Sequence, residues 1–352
     1  MTTATPAGTA RPAATGRPAA EVLTWSRELL APALRDAIDS LPPAMRRITG
    51  YHFGWYDEEG RPSAADGGKA LRPALALLAA QAVGAQPATA LPAAVAVELV
   101  HNFSLLHDDV MDSDATRRHR PTAWAVFGVS AAILAGDALL ALAYEVLAAS
   151  GHPAATGTMR ALSAAVQDLV NGQNSDTSFE QRADVGLAEC LRMASEKTGA
   201  LLGRSCELGA AFGGADAERV GHLRAFGEQL GLAFQLVDDL LGIWGDTQVT
   251  GKPVHSDLRN RKKSLPVVAA LASGTTAGAD LAALYHRDQP LSAGELAYAA
   301  NLVERAGGRD WSQAKADELL TDALRHLDSA RPEDRAHAEL AALARLATRR
   351  DH

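Results

Sequence analysis

The sequence predicts an all-α protein, one large helical bundle with room for a ligand between its helices. Three observations predict it. Hydrophobic residues make up 47% of the 352-residue chain but aromatics only 5%, so the apolar mass is Ala and Leu, strong helix formers, and strand formers are scarce. Apolar residues recur at helical spacing in long stretches closed by Gly and Pro. No repeat of fixed period is present, which argues against a solenoid, and no composition shift marks a linker, so residues 21–352 read as one domain.

The helical period begins at Glu21, where Val22, Trp25, Leu29 and Leu30 form one stripe, and ends near Leu41 before Pro42 and Pro43. Gly54, Gly60, Pro62, Gly67 and Gly68 mark a loop. Helices are expected over 71–83 and, after Pro92, through Val95, Leu99 and Leu106 to Met111. The charged run Ser113 to Pro121 reads as a loop, followed by a helix over 130–149. After Gly151 and Pro153, helices are expected over 155–173, 187–211, 216–243, 264–272, 293–306, 310–328 and 332–348.

The net charge of −8 argues against a nucleic-acid surface. Cys190 and Cys206 each sit in an Ala/Leu-rich stretch, too few for a disulfide framework or a zinc site, and read as core residues. The most apolar run, 129–149, carries Asp137 and Glu145, so it does not read as a transmembrane segment. Residues 1–20 are rich in Ala, Thr, Pro and Gly and lack the apolar core of a secretory signal; they read as a disordered tail, with cytoplasm as the expected location.

Two segments carry the chemistry. In the first, His101 to Asp112, Asp108 and Asp112 stack one turn apart, with Asp109 beside them. Three carboxylates crowded on a helix in an apolar run imply a bound cation, and oxygen ligands point to a hard one, Mg²⁺ or Mn²⁺. The second segment, Phe234 to Gly242, repeats the idea with Asp238 and Asp239, and Gln235 precedes Asp239 by one turn. Either motif alone could be a solvated surface. Together, 130 positions apart on two apolar helices, they point to a metal-diphosphate site. Cations suited to phosphate stand at Lys69, Arg72, Arg117, Arg118, Lys197, Lys252, Lys262 and Lys263, and His101 lies two turns before Asp108.

These segments resemble, in order, the motifs of the trans-isoprenyl diphosphate synthases, the family of farnesyl and geranylgeranyl diphosphate synthases. Gly67-Gly68-Lys69-Ala70-Leu71-Arg72-Pro73 is similar to the family's first basic motif. Asp108-Asp109-Val110-Met111-Asp112, with Arg117-Arg118 after it, resembles its first aspartate-rich motif and basic loop. Gly172-Gln173, Lys197-Thr198, Asp238-Asp239, Gly251-Lys252-Pro253 and Lys262-Lys263-Ser264-Leu265-Pro266 complete the series.

The resemblance implies the isoprenoid-synthase bundle around a central apolar cavity. It implies about three Mg²⁺ ions, two held by Asp108, Asp109 and Asp112 and a third by Asp238, that chelate the diphosphate of an allylic substrate. Arg117, Lys197, Lys252 and Lys262 would contact that diphosphate, with Thr198, Gln235 and Asp239 in support. Lys69, Arg72, His101 and Arg118 would hold isopentenyl diphosphate. A homodimer is implied as well. Phe103 and Ser104, five and four residues before Asp108, would floor the chain-elongation tunnel. A bulky ring followed by a small residue resembles enzymes that stop at C20, so geranylgeranyl diphosphate is the expected product, with a farnesyl or longer polyprenyl diphosphate as the alternative. Three departures stand out: Gly242 replaces a common third aspartate, His119 a common glycine, and Ala70 a common basic residue.

Three rivals are weaker. A class I terpene cyclase would not need Lys69, Arg72 and Arg118. A non-catalytic subunit of a heteromeric synthase would usually lose the first aspartate motif, intact here. A phosphohydrolase centred on His107-Asp108 would need further His and Asp ligands in a set order.

Overall fold

The computed structural model describes residues 16–63, 68, 70–180, 182–246, 254–285, 287 and 289–348. Its helices in chain order are α1 Ala19–Asp39, α2 Pro43–His52, α3 Leu71–Ala82, α4 Leu91–Met111, α5 Ala123–Phe127, α6 Val129–Ala149, α7 Ala155–Phe179 and α8 Leu187–Ala194. They continue as α9 Ala200–Phe212, α10 Ala217–Trp244, α11 Ser256–Arg259, α12 Leu265–Leu271, α13 Thr276–Tyr285, α14 Ala293–Arg305, α15 Gly308–Ser329 and α16 Asp334–Thr348.

The middle of the bundle is the Ala/Leu-rich pair α3 and α4. Ala74 through Ala80 of α3 are all fully buried, and most of α4 from Ala93 to Leu106 is buried with them. Small side chains let neighbouring helices approach closely. α4 packs on α6, α3 and α9, and α10 packs on α9 and α15. A helix that crosses the core and ends at Met111 delivers Asp108, Asp109 and Asp112 at its C-terminal end, and the C-terminal part of α10 delivers Asp238 and Asp239. Local signals fix the starts of two helices. Asp216 caps α10 by accepting from Arg219 N at 2.9 Å, and Ser292 with Glu295 forms a capping box on α14.

Several details differ from the sequence reading: α7, expected over 155–173, runs on to Phe179, and the short helices α5 and α11 are not among those expected. Pro43 does not only break α1; it opens α2, where its missing N–H costs nothing. The expected loop 113–121 contains a two-residue antiparallel ladder, Thr116 opposite Pro121 and Arg117 opposite Arg120. Its turn residues Arg118 and His119 have φ of 50° and 61°, which is why glycine suits the second of them. The expected helix 187–211 is interrupted by a π-helical turn, Ser195–Gly199, and π-turns concentrate at functional sites. The unexpected α13 buries only Ala277, Gly278, Leu281 and Tyr285, too weak a stripe to read around Gly274 and Gly278.

Among the described residues two helices are long and apolar enough to cross a membrane, Pro87–Met111 and Val129–Ala149, but 72% of the first window is buried inside the protein. The second is 39% buried and exposes Val129, Ile133 and Leu134 beside Asp137.

The sequence reading ends the tail near residue 20, whereas the first described residues are anchored. Arg17 donates to both carboxylate oxygens of Glu339 on α16, at 2.8 and 2.6 Å, and its guanidinium lies 3.9 Å from the centre of the Trp25 ring. Glu339 is 1% exposed. Glu339→Ala leaves Arg17 without its partner and is expected to cost about 2–4 kcal/mol, read as a lower urea midpoint. An unchanged midpoint would show that the anchor contributes nothing to stability.

Candidate active site

Asp108 sits in the last turn of α4, partly accessible to water yet strongly desolvated, the pattern of a group lining a cleft below the surface. Burial pushes its carboxyl up to about 6; Lys197 opposes the shift and Asp112 adds to it, with Arg117 and Asp176 acting more weakly. Asp108, Asp112 and Asp176 therefore crowd one space, and a cation would relieve that crowding.

Asp109 faces a different way. It is 1% exposed, and Arg117 holds its Oδ1 through Nε at 2.8 Å and through the terminal Nη2 at 2.7 Å. Burial raises the Asp109 carboxyl in spite of that pair, and its Oδ2 is buried with no hydrogen-bond partner among the described residues. The sequence expects Asp109 at a metal and Arg117 at diphosphate; here the guanidinium of the hairpin takes Asp109 Oδ1 and leaves Oδ2 as the carboxylate's unengaged atom. That pair fixes the hairpin to the end of α4.

Opposite α4, the carboxylates of Asp176 and Glu180 come from α7 and its C-terminal cap, one turn apart. Lys197 Nζ lies 2.5 Å from Asp176 Oδ2, presented by the π-turn. The turn fits against α7 because Gly172 has no side chain: a Cβ there would lie 2.5 Å from Lys197 N. Neighbouring Gln173 is buried, and neither of its amide atoms has a hydrogen-bond partner among the described residues.

On α10, Asp238 is exposed and Asp239 is buried. Asp239 anchors a chain of contacts. Leu265 N donates to its Oδ2 at 2.8 Å, Gln235 donates to its Oδ1 at 2.7 Å, and Thr198 Oγ1 donates to Gln235 Oε1 at 2.6 Å. Burial, with Asp257 close by, pushes the Asp239 carboxyl up to about 7. Asp257, from α11, explains the departure at Gly242. Its carboxylate rests where a Cβ on Gly242 would project, so the space of a third aspartate on α10 holds an acid from the next element.

Lys262 joins the two patches. Burial opposes its charge, but the carboxylates of Asp176, Asp257, Asp112 and Asp239 outweigh it and hold the ammonium well above its usual range. Carboxylates from the end of α4, from α7, from α10 and from α11 thus all act on this one lysine.

A second, cationic cluster lies farther back along α4. Arg72 of α3 is strongly desolvated, which lowers it to about 10, and it faces Glu98. Its Nε is buried with no hydrogen-bond partner among the described residues. Burial and the neighbouring Arg72, Arg118 and Arg117 hold His101 well below its usual pKa, so it is neutral. Gly68, with φ of 99°, passes so close to the Arg118 guanidinium that a Cβ would lie 2.5 Å from Nη2, which accounts for a glycine in the basic motif. Lys69 and Lys252 lie outside the described residues.

Phe103 is 6% exposed and packs edge-on against the His107 ring, centroids 4.8 Å apart. His107 in turn lies 3.0 Å from Ile133 O on α6. Ser104 turns its hydroxyl back to His101 O at 2.8 Å, leaving a small apolar face. Both belong to the stretch of α4 one to two turns behind Asp108, as expected from the sequence.

Residues 55–303 match the family model described as polyprenyl synthetase. The chain belongs to that family. It is 51% identical over 326 residues, covering 92% of itself and 91% of the relative, to a (2E,6E)-farnesyl diphosphate synthase of Mycobacterium bovis. It is 45% identical over 331 residues to a geranylgeranyl diphosphate synthase of Mycobacterium tuberculosis, covering 94% and 93% of the two chains. A polyprenyl synthetase structure from Streptomyces coelicolor A3(2) superposes with a TM-score of 0.89 at 50% identity, covering 93% of this chain and 98% of that one. The protein is a polyprenyl synthetase of the short-chain type, a trans-prenyltransferase with the all-α isoprenoid-synthase fold.

The donor set fits magnesium. Among the described residues no three His, Cys, Asp or Glu side chains already form a metal cage. Magnesium commonly uses one or two carboxylates and completes its shell with phosphate oxygens and water, which separated carboxylates such as Asp108, Asp112, Asp176 and Asp238 can supply. Sequence reasoning missed Asp176 and Glu180. The signal was there: with Gln173 they recur at helical spacing on one face of α7. It missed Asp257 because only the fold brings α11 against Gly242.

Proposed function

We propose that this polyprenyl synthetase condenses isopentenyl diphosphate with an allylic diphosphate and stops at geranylgeranyl diphosphate, C20. The observation that carries the condensation is the pairing of a carboxylate-and-lysine cleft with a separate cluster of arginines behind it, two anion sites of different kinds in one bundle. Asp108, Asp112, Asp176 and Asp238 would hold Mg²⁺, which, when bound, places positive charge on the allylic diphosphate. Lys197 and Lys262, with Lys252, would stabilise the charge that grows on that leaving group as the allylic C–O bond breaks and its electron pair departs with diphosphate. Arg72, Arg118 and neutral His101, with Lys69, would hold isopentenyl diphosphate so that its double bond attacks the allylic carbon. A proton is then lost to the departing diphosphate. The Thr198–Gln235–Asp239 chain keeps the wall between the two patches rigid.

The C20 assignment rests on Phe103 and Ser104. The most direct test is chromatography of products made from C5, C10 and C15 allylic starters. C20 as the longest main product supports the assignment. C15 as the end product refutes it and agrees with the name of the Mycobacterium bovis relative. Removing the ring should deepen the tunnel, so Phe103→Ala is expected to shift product beyond C20; an unchanged spectrum removes Phe103 from the floor. The exposed apolar face of α6 is where a second copy would pack to form a homodimer, and the cytoplasm is the proposed location.

A further inference from the structure

Glu98, Asn102 and His52 form a relay beneath the arginine cluster. Glu98 on α4 is 6% exposed and is the carboxylate that Arg72 faces. Asn102, one turn later and 1% exposed, donates from Nδ2 to Glu98 O at 2.8 Å and to Glu98 Oε1 at 3.0 Å. Both of its N–H bonds are thereby used, so Asn102 Oδ1 can only accept. The atom 3.1 Å from it is Nε2 of His52, the last residue of α2. That nitrogen must carry a proton and donate.

Three further groups bear on His52. Arg118, Arg117 and Arg120 add their positive charge to the burial of the ring, which together hold its pKa down to about 3, and neutral His101 stands among the same arginines. The imidazole therefore stays a neutral donor throughout the working pH range. The relay has a consequence for Arg72. A carboxylate facing a guanidinium ordinarily closes on it in a bidentate pair. Here Glu98 is held by Asn102 instead, and Arg72 Nε is buried with no hydrogen-bond partner among the described residues. An oxyanion bound beside it would supply the missing acceptor.

We propose that His52 and Asn102 are positioning residues for the isopentenyl diphosphate subsite, acting through the carboxylate of Glu98 to keep Arg72 available; this rests on the prenyltransferase reading above. His52 couples α2 to this task, so the subsite is set by three helices and not by α3 and α4 alone.

The test uses the full-length protein with Mg²⁺. Isothermal titration with isopentenyl diphosphate alone gives its Kd, and steady-state kinetics give KM for each substrate. His52→Leu keeps bulk but not the donor. It is expected to weaken isopentenyl diphosphate about tenfold in both Kd and KM, and to leave the KM of the allylic diphosphate within about twofold. His52→Gln restores an N–H donor and is expected to return Kd to within about threefold of the parent. Asn102→Asp keeps the acceptor for His52 but places a carboxylate against Glu98; it should match His52→Leu. Should His52→Leu fail to fold, the Gln and Asp variants decide between them. Unchanged affinity, equal weakening of both substrates, or a Gln variant as poor as Leu overturns the proposal. A parent protein that turns over allylic diphosphate without isopentenyl diphosphate overturns instead the reading on which it rests.

Discussion

Asp108→Asn is expected to lower kcat about a thousandfold, with the KM of either substrate changed far less, because the lost charge matters most as the leaving group ionises. The substitution keeps size and shape and removes only the charge. In the parent, that charge is held in a buried place beside Asp112 and Asp176, an arrangement costly for folding and useful only when a cation enters. The same substitution should therefore leave thermal stability unchanged or raise it. Loss of rate without loss of stability separates a functional carboxylate from a structural one. The check is steady-state kinetics beside a thermal melt. A loss of rate below about tenfold would remove Asp108 from the reaction.

Arg72→Met is expected to raise the KM of isopentenyl diphosphate about a hundredfold and to leave that of the allylic diphosphate nearly unchanged. Methionine keeps the apolar stem packed and deletes a charged fork whose buried Nε has no hydrogen-bond partner among the described residues. The split follows from geometry. Arg72 shares its surroundings with Glu98, His101 and Arg118, whereas Lys197 and Lys262 answer to the acidic cleft. Arg72→Lys should recover only part of the loss, since an ammonium cannot present two parallel donors to a phosphate. Equal effects on both substrates would mean that the two anion sites are one.

Much of the fold could be read from the sequence because helices α3, α4, α6, α7, α10, α15 and α16 carry long apolar stripes and clear terminal signals. What escaped has local causes. α2 hides behind Pro43, which can open a helix as well as end one. The π-turn at Lys197 leaves no mark in apolar periodicity, since one extra residue per turn shifts the stripe by less than the stripe's width. In the site, helical spacing placed Asp108 and Asp112 on one face and Gln235 beside Asp239. It could not show that Arg117 would claim Asp109, since that pairing depends on two positive φ values in the hairpin. Nor could it show Asp257 leaning over Gly242, a meeting of α10 with a later element. Residues that act alone on their own helix were legible. Residues whose meaning comes from a partner across the bundle were not.

On the proposed function, two acidic helix ends grip one polyanion between them through magnesium. Titration with inorganic pyrophosphate tests it without any turnover. The parent protein should bind pyrophosphate tightly with Mg²⁺ and at least a hundredfold more weakly in EDTA, and both Asp108→Asn and Asp238→Asn should abolish the magnesium-dependent part. If either variant keeps the full magnesium-dependent affinity, one acidic face suffices and the shared cleft is wrong.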